Sequence, residues 1–396
     1  MPMDVSRLCA ALVAIKSENP PGETADVIEY IRDFLDTRGI ASLVTDSGDG
    51  HCNLVTKKPH KPLLFCGHVD VVPARDEGWS HPPFSGLIDD GYVWGRGATD
   101  MKGGCAAVLA ACDSLVQEGR ELPADLAFVC DEEAEGNHGI RHLIREHLIK
   151  PCDCLVAEPT PARHPCIGQK GLCRLTVEFT GAPGHGSLYP VVGVSAIMEA
   201  MGLLSYVNDL HGRKFTIEEN IRKIIEASSE VFSEEFHIRD GSEILERVTF
   251  NPGVISGGEK INIVAQHCSL NLEMRIPWGC SIPELIREIG EHAQNGAVNI
   301  ITSHDPTLTD PCCDFTDIVC REVQNVWGGH VFPILQWAAS DARHLRRVGF
   351  NVIEYGPGEL STLHGIDERV SVASLENAVR IYRGIMDTYR TGKVIL

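Results

Sequence analysis

The sequence predicts an α/β protein in which a mostly parallel sheet flanked by helices is interrupted by an inserted α+β domain. Two observations carry this expectation. Apolar runs at 63–66, 126–130 and 153–157, each followed by a polar cluster, alternate with helix-like stretches at 102–118 and 136–149. Strands interleaved with helices imply parallel neighbours in one sheet. Near residue 173 the pattern changes, and the alternation returns only after about residue 305. A domain inserted into another fits this better than two domains in series, which gives one discontinuous domain at 1–172 and 305–396 and an insertion at 173–304.

In chain order, residues 4–16 and 24–38 read as amphipathic helices, the second capped by Thr24 and stopped by Gly39. The three apolar runs that follow are strands. In such sheets ligands gather at the carboxyl ends of strands, and His68, Glu132, Glu133 and Glu158 all sit where these runs end. The insertion reads as a strand at 172–180, a Gly-rich turn at 181–186, a helix at about 190–207, strands near 247–256 and 261–276, and a helix at 282–293. Residues 228–235 are merely polar. The alternation then resumes through 315–326, 339–347 and 352–355 and closes with a helix from Ser374.

Composition is that of an ordinary globular chain: 43% of the 396 residues are hydrophobic and 23% charged, enough to build a buried core. The 35 basic and 55 acidic residues leave a formal charge of −20, which disfavours nucleic acid and anionic membrane as partners. An anionic substrate in a local basic pocket stays open. No apolar run approaches the roughly 20 residues that span a bilayer, and the N-terminus shows no signal-peptide pattern. The fifteen cysteines include no Cys-x-x-Cys pair. Many, such as Cys66 and Cys130, lie in apolar runs where a thiol packs as a small apolar residue, and the odd count points to a reducing, cytoplasmic setting.

Five separated residues are candidate metal ligands: His68, Asp100, Glu133, Glu158 and His364. Two imidazoles and three carboxylates, with Glu132 left as a base, would suffice for a two-metal hydrolytic site. Asp70 lies two residues beyond His68, on the same side of an extended chain, where a carboxylate can hold one imidazole nitrogen and leave the other for metal. Asp100 follows a glycine-rich turn and has helix N-cap as its alternative role. Asp131-Glu132-Glu133 crowds three carboxylates at one strand end, costly unless a cation is near; a solvated acidic loop is the alternative. Arg275 can pair with Glu273 or grip a substrate carboxylate in a fork. His185, in Gly184-His185-Gly186-Ser187, occupies a turn. Neither Gly-x-Gly-x-x-Gly nor a Walker loop is present, which argues against nucleotide binding.

The run Gly67-His68-Val69-Asp70-Val71-Val72-Pro73, then Trp79, Pro83-Phe84, Gly95-Arg96-Gly97 and Asp100-Met101-Lys102-Gly103, closely resembles the dizinc amidohydrolase and peptidase family that contains succinyl-diaminopimelate desuccinylase, acetylornithine deacetylase, aminoacylase and carboxypeptidase G. Asp131-Glu132-Glu133, Glu158-Pro159-Thr160, Gly184-His185-Gly186-Ser187, Arg275 and His364 recur in that family's order, so the likeness spans essentially the whole chain. The resemblance implies His68 and Glu158 on one zinc ion, Glu133 and His364 on a second, and Asp100 bridging both, with cobalt or manganese as substitutes. It also implies Glu132 as general base, Asp70 behind His68, a cis peptide between Asp100 and Met101, and Arg275 and Asn262 as substrate contacts. The inserted domain would form a homodimer interface and serve as a lid, with His185 reaching the neighbouring subunit's site.

The activity implied is hydrolysis of an N-acyl amino acid, of the succinyl-diaminopimelate desuccinylase or acetylornithine deacetylase type used in amino-acid biosynthesis. A zinc dipeptidase or carboxypeptidase, and a non-catalytic amino-acid-binding module, are the alternatives. One departure bears on substrate choice. Where desuccinylases of the family carry a Gly-Thr-Ser-Asp-Gly-Arg type loop, this chain reads Ala338-Ala339-Ser340-Asp341-Ala342-Arg343.

Overall fold

Period-two alternation with both faces buried explains the central layer of the structure, a computed structural model that describes residues 3–57, 60–134 and 136–391. In the strand Leu63–His68 every residue is buried. Leu64 and Cys66 join Ala127, Val129, Cys154, Val156 and Val352 in one apolar cluster with Ile140, Leu143 and Leu345. Phe65 points to the opposite face, where its ring meets Tyr382 edge-on at 5.4 Å. Two-sided burial is what a parallel sheet between helices requires. Cys66 and Cys130 are buried, as apolar packing of the thiol demands.

The chain forms two compact units, Met1–Ile167 with Leu308–Ile334 and Ser340–Leu396, and Gly168–Thr307 with Leu335–Ala339. In the first, strands run in the order Ser42–Asp46, Cys52–Thr56, Ala124–Val129, Leu63–His68, Asp153–Val156 and Asn351–Glu354. Ala124–Val129, Leu63–His68, Asp153–Val156 and Asn351–Glu354 are parallel neighbours. The helix Lys102–Gln117 packs on Leu63–His68 and against the helices Val5–Ala14 and Val372–Thr391. Its glycine start permits this approach: a Cβ on Gly104 would lie 2.1 Å from the carbonyl oxygen of Ala157, so the residue before Glu158 is seated directly on the helix.

The second unit contains an antiparallel sheet in the order Thr249–Gly257, His267–Ile276, Gly171–Thr180, Gly296–His304. One face of it carries Leu175, Val177, Phe179, Leu270, Leu272 and Met274, packed with Leu203, Val207, Leu285 and Ile289 of the helices Ala196–His211 and Ile282–His292.

Several elements differ from the sequence expectation. The polar stretch at 228–235 lies within a helix, Glu219–Phe236, whose buried side is Ile225, Ser228, Val231 and Phe232. The helix expected from residue 190 begins at Ala196, after a short 3-10 turn at Gly186–Leu188. The strand expected at 261–276 begins at His267, and the helix at 136–149 shortens to Ile140–Arg145. The second unit also takes in Leu335–Ala339, a segment the sequence pattern grouped with the first block. No helix among the described residues is long and apolar enough to cross a membrane.

Candidate active site

The parallel strands deliver polar side chains to one end of the sheet. His68 closes Leu63–His68, Glu158 follows Asp153–Val156 by two residues, and Glu132 and Glu133 occupy the turn after Ala124–Val129. That turn opens at Asp131, whose φ of 66° is left-handed, a conformation aspartate tolerates better than most residues. Asp100 comes from the loop before the helix Lys102–Gln117, and His364 follows the 3-10 turn Leu360–Thr362.

These residues form two groups that share Asp100. Ligand atoms of His68, Asp100 and Glu158 lie within 4.8 Å of one another, as do those of Asp100, Glu133 and His364. Asp100 Oδ1 is 3.0 Å from His68 Nε2, and its Oδ2 is 3.2 Å from His364 Nε2. Glu158 Oε1 stands 3.7 Å from His68 Nε2, and Glu133 Oε2 3.3 Å from His364 Nε2. Asp100 does not cap the following helix: Met101 holds the N-cap position, and the Asp100–Met101 peptide is cis.

Asp70 lies beneath both groups. The His68 Nδ1 makes its shorter contact, 2.9 Å, with the main-chain oxygen of Asp70, and is 3.4 Å from the carboxylate. That carboxylate accepts from the backbone N–H groups of Glu132 and Glu133 at 3.2 and 3.1 Å and from Asn19 Nδ2 at 2.9 Å. Asp70 therefore ties the His68 strand to the glutamate turn, a role its spacing from His68 did not disclose.

The electrostatics are those of a cation site. Desolvation pushes Glu132, Glu133 and Glu158 above the usual carboxylate range, and like charge nearby adds to it. Burial works the same way on Asp100, but hydrogen bonds with His364 and His68 outweigh it and hold Asp100 low. Asp100 and Glu133 raise His364 to about 10. Glu133 Oε1 is buried without a hydrogen-bond partner. Carboxylate oxygens and imidazole nitrogens around one shared aspartate are donors that divalent metals such as zinc or manganese accept, so the residues present fit a metal pair.

Sequence reasoning missed the group that shapes the Asp100 loop. Glu368 is fully buried; its Oε1 accepts from the N–H groups of Gly97, Thr99 and Asp100 at 3.0, 3.0 and 3.1 Å. Its Oε2 pairs with Arg96, which also donates to the carbonyl oxygen of His364. One carboxylate thus organises the loops of both Asp100 and His364.

The other site candidates belong to the second unit. The exposed His185 and Asn262 lie on adjoining turns, joined by a bridge between His185 and Ile263 and by Gly186 N–H donating to Asn262 O at 2.8 Å. His185 Nδ1 accepts from the Ser187 N–H at 3.3 Å. Arg275 pairs with Glu273 through Nε and Nη2 at 3.0 and 2.8 Å, while its buried Nη1 has no hydrogen-bond partner.

A parallel sheet whose carboxyl ends gather imidazoles and carboxylates around one shared aspartate is the frame of a metal-dependent hydrolase. The family described as Peptidase family M20/M25/M40 matches residues 64–388. Succinyl-diaminopimelate desuccinylase from Cereibacter sphaeroides is 31% identical, covering 98% of this chain and all of its own length (100%). Among solved structures, an M20 family metallo-carboxypeptidase from Sulfolobus solfataricus superposes with a TM-score of 0.81 at 17% identity, covering 98% of this chain and 100% of that one. Human carnosine dipeptidase 1 follows at 0.75 and 15% identity, over 98% and 97%. At these identities the structural likeness speaks to the fold alone. The chain belongs to peptidase family M20/M25/M40 and is a hydrolase of amide bonds.

Proposed function

We propose that this protein hydrolyses the amide bond of an N-acyl amino acid, of the succinyl-diaminopimelate or acetylornithine kind, using two zinc ions for which cobalt or manganese can substitute. The observation that carries the reading is the division of Asp100, one carboxylate oxygen facing His68 and the other His364. His68 and Glu158 would hold one ion, Glu133 and His364 the other, with Asp100 shared. Bound there, the metals would acidify a water molecule and polarise the scissile carbonyl.

The chain's own residues do the rest. Glu132, whose pKa burial raises, accepts the proton of the attacking water and returns it to the departing amine. The N–H of Ser187 occupies His185 Nδ1, which leaves Nε2 to carry the proton and donate to the oxyanion. We assign His185 that role in the site of a neighbouring subunit of a homodimer. Arg275, with Nη1 unpartnered, is suited to a substrate carboxylate, and Asn262 lies on the turn next to His185.

Ala338, Ala339 and Ala342 in place of the desuccinylase Gly, Thr and Gly weigh against a succinyl group, which keeps the deacetylase and peptidase readings as rivals. The deciding experiment presents zinc-loaded protein with N-succinyl and N-acetyl diamino acids and with simple dipeptides. Turnover of an acyl amino acid well above that of any dipeptide is expected; the reverse order overturns the substrate assignment.

A further inference from the structure

Within the first unit, residues 17–19 run parallel to residues 69–71, just past the end of the His68 strand. Val71 N–H donates to Ser17 O at 2.9 Å and Asn19 N–H to Val71 O at 2.8 Å. Ser17 Oγ donates to Val69 O at 2.6 Å, and Glu18 forms a parallel bridge with Val71. The fully buried Lys102 secures the start of the segment, its Nζ donating to Ile15 O at 2.6 Å. This pairing fixes the backbone of Asn19 beside Asp70.

The Asn19 side chain then joins two acids. Its Nδ2 donates to Asp70 Oδ2 at 2.9 Å and to Asp131 Oδ1 at 3.2 Å, and all three residues are buried. Two carboxylates converging on one atom set the amide orientation, because the reversed amide would turn its oxygen on both. Asp131 opens a turn that is closed on itself: Gly136 N–H donates to Asp131 O at 2.6 Å, and His138 N–H to Asp131 Oδ2 at 3.0 Å. Asp70 makes two cross-links from the His68 strand to this turn, through the Glu132 and Glu133 N–H groups. Asn19 makes a third, through Asp131, and places a donor between two like charges. Buried carboxylates that lose a shared donor are left underpaired and repel each other.

We propose that Asn19 is a positioning residue for the base: by donating to Asp70 and Asp131 together, it locks the turn that carries Glu132 to the strand that carries His68. The kinetic part of this proposal rests on the reading of Glu132 as the base. A base displaced by a fraction of an ångström loses rate without losing substrate affinity, so the device acts on kcat.

The test pairs kinetics with hydrogen exchange on the full-length, zinc-saturated protein. Asn19→Ala should lower kcat about 10- to 100-fold with KM nearly unchanged, and should speed amide exchange at Glu132 and Glu133. Asn19→Asp keeps the shape but aims an oxygen at both carboxylates, so it should lose at least as much; wild-type kcat in this variant would show that shape alone matters and overturn the proposal. Combining Asn19→Ala with Asp131→Asn should cost little more than the worse single change, because both act on one cross-link. Asn19→Ser keeps a single donor and takes the place of Asn19→Ala if that variant does not fold, with the same changes expected in smaller measure. Losses that multiply in the double variant, or kcat and exchange both unaltered in the single one, overturn the proposal. If the wild-type protein cleaves no acyl amino acid or dipeptide, the functional reading fails, and the exchange measurement still decides the cross-link.

Discussion

Glu132 and Asp341 are both carboxyl groups that burial pushes up, and their differing surroundings separate their expected behaviour. Glu132 stands beside a group that includes Asp100, Glu133 and Glu158, where a bound cation would favour its ionised form. Glu132→Gln keeps the size of the side chain but cannot take up a proton, so bound metal should be retained while kcat falls roughly 10²- to 10⁴-fold. Metal analysis alongside steady-state rates checks this; near-normal turnover with metal bound would assign the base elsewhere. Asp341 is raised by burial to about 7 from an ordinary 3.8, with the nearby Arg343 opposing the rise. Between those values the folded chain holds a proton that the unfolded chain has released, so Asp341 contributes stability that is present below pH 4 and lost as pH rises to 7. Asp341→Asn has no such slope. Urea unfolding of chelator-treated protein should show the variant gaining on wild type by roughly 2–4 kcal/mol between pH 4 and pH 7.5. Parallel pH profiles would mean that Asp341 is already ionised in the folded state.

At the level of elements, what the sequence disclosed depended on where the partner groups lie. Strands such as Leu63–His68 and Ala124–Val129 contain the apolar runs 63–66 and 126–129, and the rule that parallel sheets bind ligands at their carboxyl ends points to His68, Glu132, Glu133 and Glu158. The helix Glu219–Phe236 escaped notice because Ser228 interrupts its buried stripe and glutamates and serines fill the rest. That serine is buried for a reason visible only in three dimensions: its hydroxyl accepts from the distant Leu335 N–H. The helix start near 190 was misplaced because Pro190 reads as a first-turn signal, whereas the helix begins after Ser195. The strands Leu87–Asp89, Tyr92–Trp94 and Arg369–Ser371 are three residues each, too short for a period to register. Glu368 was missed for a related reason. Its partners are main-chain N–H groups some 270 residues away in sequence, which no spacing rule connects.

At the level of the whole molecule, the second unit exposes several large apolar side chains. Val191 is 91% exposed and Ile261 fully so, and Leu188, Val192, Met198 and Met201 are exposed as well. Exposed apolar side chains in such number mark interaction sites, and the homodimer proposed above would cover them. A two-fold dimer presents the same patch from both subunits, which would bring each His185 toward its neighbour. If His185 serves the neighbouring site, activity can be rebuilt from two inactive proteins. In a mixed dimer of Glu132→Gln and His185→Ala subunits, the site on the His185→Ala subunit has its own intact Glu132 and receives an intact His185 from the partner. The other site lacks both groups. Random exchange of equal amounts makes half the dimers mixed, so about a quarter of wild-type activity should return. Action within one subunit predicts none, because each site then lacks one of the two groups. Subunit exchange verified by native mass spectrometry, with no activity recovered, would return His185 to its own chain or to the surface.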